Sequence, residues 1–259
     1  MLAKERLLYI LERLSTQPSV TIQSLSDELQ VSSSTIQRDL NILETEGKVQ
    51  RERGGAISKN LTDTLTSFKE ISVGDKEHIH VTEKQLICRY ASENVKDGDC
   101  IFVDSGTTPT YLIPTLVQKK IKIVTNSHYF LTKIIKESSR GEIYILGGEY
   151  NPKYDMTYGS ITIDMLKRFR FDHSFFSASG YDFDLGEIYA VEFDLAAIKR
   201  AAMERSNKKH LLIDYSKYAV KGMCSWAKQE EFTTIYTDKF IVNKKKPQNM
   251  IVCNGLKNS

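Results

Sequence analysis

Leu7, Leu8, Ile10, Leu11 and Leu14 recur at the spacing of one helical face, so residues 3–15 are expected to form a helix that Pro18 ends. Thr21 opens a second helix with Ile22, Leu25 and Leu29 on one side. Gln30-Val31-Ser32 leaves room only for a tight connection, and Ser32-Ser33-Ser34-Thr35 offers hydroxyl N-caps to a third helix. That helix is expected to reach about Glu46, with Ile36, Leu40 and Leu43 turned inward and Gly47 at its C-terminus. From Lys48 the period changes to two, Gly54-Gly55 offers a turn, and Ala56-Ile57-Ser58 returns as the second half of a short hairpin. Residues 1–58 therefore read as a winged helix-turn-helix unit, with the motif at about 20–39.

Residues 59–82 are polar and show no sustained period, which marks a linker. His78 and His80 fall within it; with no cysteine or carboxylate constellation beside them they read as linker histidines, and no metal site is expected. At Glu83 the pattern changes again. An amphipathic helix over 83–96 ends at Asp97-Gly98-Asp99. Short β-branched or aromatic runs follow at 100–103, 121–125, 142–146, 171–178, 210–214 and 234–237, with helical stretches at 107–117, 128–138 and 193–207 between them. Strand–helix alternation of this kind implies a mostly parallel sheet covered on both faces, so 83–259 is expected to form one larger, doubly wound α/β domain.

Composition narrows the class without deciding it. Apolar residues make up 41% and charged residues 27% of the chain, a globular balance. No apolar run is long enough to span a membrane, and the charges among Met1–Leu8 do not suit a signal peptide. Cys88, Cys100, Cys224 and Cys253 are scattered with no Cys-x-x-Cys pair, which points to a reducing cytoplasm. The net charge is +3, yet residues 1–60 hold eight Lys and Arg against eight Asp and Glu. Whole-domain basicity thus carries no argument for DNA, and only the placement of particular side chains can.

That placement is suggestive. The second helix of such a motif enters the major groove by its N-terminal part. Here it begins Ser32-Ser33-Ser34-Thr35-Ile36-Gln37-Arg38, with hydroxyls suited to phosphates, Gln37 to adenine, and Arg38 to guanine or phosphate. Lys48, Arg51 and Arg53 bring cations to the wing. A solvated polar helix face would show the same pattern.

In the second domain, polar clusters stand at the carboxyl ends of predicted strands, where open parallel sheets bind ligands. They are Asp104-Ser105-Gly106-Thr107-Thr108, Thr125-Asn126-Ser127, Gly147-Gly148 and Asp214-Tyr215-Ser216-Lys217. The first joins a glycine, hydroxyls and the N–H groups of a helix N-terminus, a set suited to phosphate. Lys217 and Lys199 are candidate cations; Asp104 and Asn126 suit sugar hydroxyls. No Walker sequence and no Gly-x-Gly-x-x-Gly is present, which disfavours a nucleotide, and no cofactor is expected. Helix caps and turns are the competing structural explanation for each cluster alone.

Val31-Ser-Ser-Ser-Thr-Ile-Gln-Arg-Asp-Leu, Leu43-Glu44 and Arg53-Gly-Gly-Ala resemble the N-terminal signature of the DeoR family of bacterial regulators. Glu83-Lys84, Gly98-Asp99, Asp104-Ser-Gly-Thr-Thr, Thr125-Asn-Ser, Leu146-Gly-Gly, Asp172, Gly180, Lys199 and Asp214-Tyr-Ser-Lys217 resemble its effector-sensing domain, so the likeness spans about residues 3–240. The chain departs from the usual family pattern at Gln37, where Arg is common, at Arg53, where His is common, and at Leu195, where an acid usually stands four before Lys199. The resemblance implies a regulator, commonly a repressor of sugar metabolism genes, that binds operator DNA as a homodimer or larger homo-oligomer and responds to a phosphorylated sugar. It also implies a sensing fold similar to ribose-5-phosphate isomerase, and adds Gly180 to the candidate effector residues. The alternative is a phosphosugar isomerase with a DNA-binding appendage. Asp172, Asp182, Glu187 and Glu192 could supply its base, but the Lys-Gly-Gly-Gly stretch of ribose-5-phosphate isomerases is missing.

Overall fold

The computed structural model describes residues 2–16, 19–52, 54–58, 76–218, 220–240 and 245–254. The chain divides into two units, 1–70 and 71–259. Among the described residues no helix is long and apolar enough to cross a membrane.

In the first unit, helix α1 (Ala3–Thr16) is followed by a short strand β1 (Ser19–Thr21), α2 (Ile22–Leu29) and α3 (Ser33–Thr45). Thr21 caps α2 by accepting from the Ser24 N–H at 3.0 Å, and Ser32 caps α3 by accepting from the Thr35 N–H at 3.3 Å. At the end of α3, Gly47 takes φ +71°, and the N–H of Lys48 reaches the Leu43 carbonyl at 2.8 Å. The apolar stripes of all three helices meet in one core of Ile10, Leu14, Val20, Leu25, Ile36, Leu40, Leu43, Val49 and Ala56. Asp39, also buried, is clamped by the Arg6 guanidinium, whose Nε and Nη2 lie 2.7 and 3.1 Å from its two oxygens, tying α1 to α3.

The wing is β2 (Val49–Glu52) and β3 (Gly55–Ser58), and the unpredicted β1 adds a third strand in the order β1-β3-β2. Glu52 pairs with Gly55, so Gly55 belongs to the strand and not to the Gly54-Gly55 turn that the sequence suggested. Gly55 lies inside β3 opposite Thr21; a Cβ there would sit 2.0 Å from the Val20 carbonyl oxygen, so β1 can approach only a glycine.

The second unit is built on seven strands, all parallel: β4 (Cys100–Val103), β5 (Lys122–Thr125), β6 (Glu142–Ile145), β9 (Phe171–Phe176), β12 (Ser206–Leu212), β14 (Thr234–Thr237) and β15 (Met250–Val252). Their spatial order is β15-β14-β12-β9-β4-β5-β6. Neighbouring apolar residues along the strands, such as Phe102 and Val103 or Phe175 and Phe176, enter opposite cores. Ile101, Val103, Ile123, Phe175 and Leu212 join α4 (Val81–Ser92), α5 (Ile113–Leu116) and α6 (His128–Ile134) on one face. Phe102, Val124, Phe171, Phe176, Leu211 and Ile235 face α8 (Phe193–Glu204) on the other, where α7 (Gly159–Leu166) also packs. Two small antiparallel elements went unread in the sequence: the hairpin β7 (Glu149–Asn151) with β8 (Met156–Tyr158), and a sheet of β10 (Gly180–Asp182), β11 (Glu187–Ala190) and β13 (Cys224–Lys228). The helix expected over 107–117 is instead a 3₁₀ turn, Thr108–Leu112, followed by the single turn of α5. Pro114 lacks the N–H that a continuous α-helix would donate to the Thr110 carbonyl.

Residues 76–80, expected in the linker, pack on this second unit: the Tyr111 hydroxyl donates to the Glu77 carbonyl at 2.7 Å, and Lys133 pairs with the Glu77 carboxylate at 2.5 Å.

Within the central strands, His173 on β9 and His210 on β12 are buried side by side, Nδ1 to Nε2 2.8 Å, with Asp99 3.6 Å from His173 Nε2. Burial, reinforced by the neighbouring imidazole and Lys208, lowers the pKa of His210 to about 3 from 6.5.

Two outcomes follow from this packing. Leu40→Ala empties a core position and is expected to cost about 2–5 kcal/mol of stability, whereas Gln37→Ala, one turn away on the exposed side of the same helix, should stay within about 0.5 kcal/mol; denaturant melts of both variants distinguish the two faces. For His210, the unfolded chain takes up the proton first, so stability present above pH 6.5 is lost as the pH falls toward 3. Thermal melts across that window should therefore fall more steeply for the parent chain than for His210→Phe.

Candidate functional site

On α3, Ser33, Ser34, Gln37 and Arg38 are exposed while Ile36 and Leu40 are buried, the division expected of a recognition helix. The hydroxyls of Ser32 and Thr35 are engaged with each other at 2.9 Å, and Ser32 also meets the Ser34 hydroxyl at 2.9 Å, so part of this serine-rich stretch shapes the helix start. Arg38 has no acidic partner among the described residues. Lys48 is paired with Glu46 at 2.6 Å, both half-exposed, and Arg51 folds back on α3, its guanidinium donating to Asn41 and its backbone N–H to Glu44 at 2.9 Å. Arg53 lies outside the described residues.

The sheet order of the second unit fixes where a ligand edge must lie. From β4 the chain winds outward through β5 and β6 on one side; β9, β12, β14 and β15 lie on the other. The crevice beyond the carboxyl ends of β4 and β9 is thus the topological switch point. Asp104 follows β4 there, buried. Its Oδ2 accepts from the Ser177 N–H at 3.0 Å, from the Ser177 hydroxyl at 2.6 Å, and from the Lys199 ammonium. Lys199, also buried, donates further to the Ser177 carbonyl at 3.1 Å and lies 5.5 Å from the Trp226 ring centre. Leu195, one turn before it on α8, is buried in the core and Asp194 is exposed. Lys199 therefore takes its acid from β4 instead of from its own helix.

Gly106 sits where a Cβ would lie 2.0 Å from the Ser177 hydroxyl, so the glycine admits Ser177 to Asp104. Among the described residues, none accepts from the backbone N–H of Ser105, Gly106 or Thr107. Ser105, Thr107 and Thr108 are all buried. Thr107 Oγ1 lies 3.4 Å from the ammonium of Lys84, a lysine on α4 only 4% exposed, which also donates to the Lys76 carbonyl at 2.7 Å. Beyond β12, Asp214 is buried and caps the turn Tyr215–Lys217 by accepting from the Ser216 N–H at 3.0 Å. Burial alone would raise its pKa; the positive charges of Lys217, His80 and Lys84 outweigh that and hold it below the ordinary value. His80 itself, at φ +52°, sets its ring edge against Tyr215 at 5.4 Å. The clusters at 104–108 and 214–217 and Lys199 are thus joined along one edge by Lys84, His80 and Ser177, none of which was singled out as a contact from the sequence. Lys84 stood in a recognised stretch, but a lysine on an amphipathic helix ordinarily points to water.

Other candidates turn out to be occupied locally. The Thr125 hydroxyl donates to the Val103 carbonyl at 2.7 Å, Ser127 caps α6 by accepting from Phe130 N at 3.0 Å, and the Asn126 amide donates to the Thr157 carbonyl at 2.8 Å. Gly147 and Gly148, past β6, pack against α7, where Thr162 donates to the Gly147 carbonyl at 2.8 Å. Gly180 lies within β10 close to the Val220 backbone. Cavities of about 240 Å³ lie elsewhere: one at the amino edge beside Asp99, His173 and Lys208, the other beside Phe183 and Gln229.

A groove-reading helix with a wing, joined to a separate α/β unit with a polar switch-point edge, is the organisation of a transcription regulator that couples DNA binding to sensing. Residues 6–62 match the family described as DeoR-like helix-turn-helix domain, and residues 79–239 match that described as DeoR C terminal sensor domain. The chain belongs to the DeoR family of transcriptional regulators. It is 31% identical to the L-fucose operon activator of Haemophilus influenzae, covering 89% of this chain and 90% of that one. It is 30% identical to the lactose phosphotransferase system repressor of Streptococcus mutans (92% and 93%) and 30% identical to the glycerol-3-phosphate regulon repressor of Escherichia coli K12 (88% and 88%). Among solved structures, ribose 5-phosphate isomerase A from Methanocaldococcus jannaschii is similar at 14% identity and a TM-score of 0.41, covering 54% of this chain and 55% of that one.

For the DNA-reading face, Arg38→Ala is expected to weaken operator binding by about 1–3 kcal/mol without altering the melting curve. Lys48→Ala should weaken binding about equally on operator and unrelated DNA and reduce the salt slope. Both are read by fluorescence anisotropy at fixed salt, and an Arg38 variant of unchanged operator affinity would remove that residue from the interface.

Proposed function

We propose that this chain is a repressor of genes of sugar metabolism, acting as a homodimer or larger homo-oligomer, whose hold on operator DNA changes when a phosphorylated sugar occupies the carboxyl edge of the parallel sheet. The observation that carries the reading is the grouping at the switch point of unpaired N–H groups at 105–107, the buried ammonium of Lys84 and the Asp214–Lys217 turn. A phosphate dianion would accept from such donors, and the neighbouring carboxylates would take sugar hydroxyls. The names of the relatives, which speak of lactose, fucose and glycerol-3-phosphate systems, support the substrate class.

The edge is closed by its own contacts, so an incoming anion competes with Lys76 for Lys84. Residues 76–80 lead back into the linker, and loosening them is the route by which occupancy reaches the DNA-reading unit. The effect is a shift between two arrangements, sized by the ligand's differential affinity for them.

The geometry weighs against the four carboxylates that the sequence offered as an isomerase base. Asp172 lies at the opposite end of β9, accepting from the Cys100 N–H at 2.9 Å. Asp182 is bound by the N–H groups of Asp184 and Leu185, Glu187 by Lys228 and Tyr189, and Glu192 by Tyr154.

A thermal-shift panel of pentose and hexose phosphates against their unphosphorylated parents tests the reading. The effector at a hundred times its Kd should stabilise the second unit by about 2.7 kcal/mol, the parent sugar should do little, and the same compound should change a gel shift on the DNA upstream of the chain's own gene. If no phosphorylated sugar moves the melt, the sensing role is lost.

A further inference from the structure

Asp238 follows β14 at the same carboxyl edge and is only 6% exposed. Its Oδ1 accepts from the Tyr215 N–H at 2.9 Å, which places it directly on the turn that Asp214 caps. Its Oδ2 is buried and has no hydrogen-bond partner. Burial first, and then the charges of Asp214 and Glu83, raise the pKa of this carboxyl above the ordinary value. A buried acceptor left unsatisfied is costly, and native chains hold few of them.

One other buried acceptor at this edge lacks a donor, Asn126 Oδ1 past β5. β5 and β14 are four positions apart in the sheet order, so the two acceptors belong to different parts of the edge. The choice between them is made by the cations. Lys84, Lys217 and His80 all act on Asp214, on the β12–β14 side, whereas the Asn126 amide is tied into β8. Lys84, 3.4 Å from Thr107, thus links the β4 loop to the Asp214–Lys217 turn, whose Tyr215 N–H donates to Asp238.

Resting on the sensing function proposed above, we infer that Asp238 Oδ2 is reserved for a ligand hydroxyl: Asp238 is a specificity-determining residue that reads the end of a sugar phosphate farthest from its phosphate. This explains an oxygen without a donor at a position where the fold gains nothing from it. It also assigns the two halves of recognition to different groups, with the anion at Lys84 and a hydroxyl at Asp238.

The experiment is calorimetric titration of the full chain and of Asp238→Asn with inorganic phosphate and with a panel of pentose and hexose phosphates, alongside melts of both proteins without additives. Asn keeps an oxygen for Tyr215 and replaces the orphan acceptor with an amide donor. The expected result is an unchanged or higher melting temperature, inorganic phosphate affinity within about twofold of the parent, and a loss of tenfold or more for the best-binding sugar phosphate. A variant that binds that sugar phosphate as the parent does overturns the inference while leaving the sensing function standing. A lower melting temperature without additives makes Asp238 a structural residue and overturns it too. If the parent binds neither phosphate nor any sugar phosphate, the sensing function falls and this inference with it.

Discussion

One buried charge pair organises the second unit. Asp104 and Lys199 come from elements 95 residues apart in sequence and meet, with little access to water, at the point where the sheet reverses its winding. Either charge alone in that place would cost several kcal/mol; together, with Ser177 completing the hydrogen bonds, they hold the β4 loop against the β9 loop. The loop that exposes the N–H groups of 105–107 is therefore a rigid feature of the frame. A preorganised set of donors pays less on binding than one that must be assembled.

Around that pair the polar groups of the unit separate by chemistry. The carboxyl edge carries ammonium groups, unpaired N–H groups and two acceptors in want of donors. Within the sheet, the imidazoles of His173 and His210 form a buried pair, with Asp99 beside His173, and burial closes the pair to charge. The antiparallel strands β10, β11 and β13 cover the α8 face, bringing Trp226 against Lys199. In the first unit, the core and the Arg6–Asp39 clamp fix α3 with Ser33, Ser34, Gln37 and Arg38 turned outward.

Much of this was legible in the sequence. Six of the seven parallel strands announced themselves, because a strand buried on both faces must be apolar at nearly every position, as in Phe102 and Val103 or Phe175 and Phe176. The three-residue strands β1, β7, β8, β10 and β15 were not legible; their pairing is decided by distant partners, as Gly55 is by Val20, and leaves no local period. The candidate clusters were visible as groups of small and hydroxyl residues at strand ends, yet the same residue types also cap helices and hold turns, as Ser127 and Thr125 do. Lys84, His80 and Asp238 were not visible, since burial, not residue type, makes them notable.

The switch point also says something about the order in which the molecule acquires its abilities. The core of the DNA-reading unit closes within the first 58 residues. The crevice beyond β4 exists only once β9, some 70 residues later, has docked beside it, and its Lys199 arrives later still. A chain emerging N-terminal end first thus folds its DNA-reading unit well before its sensing unit.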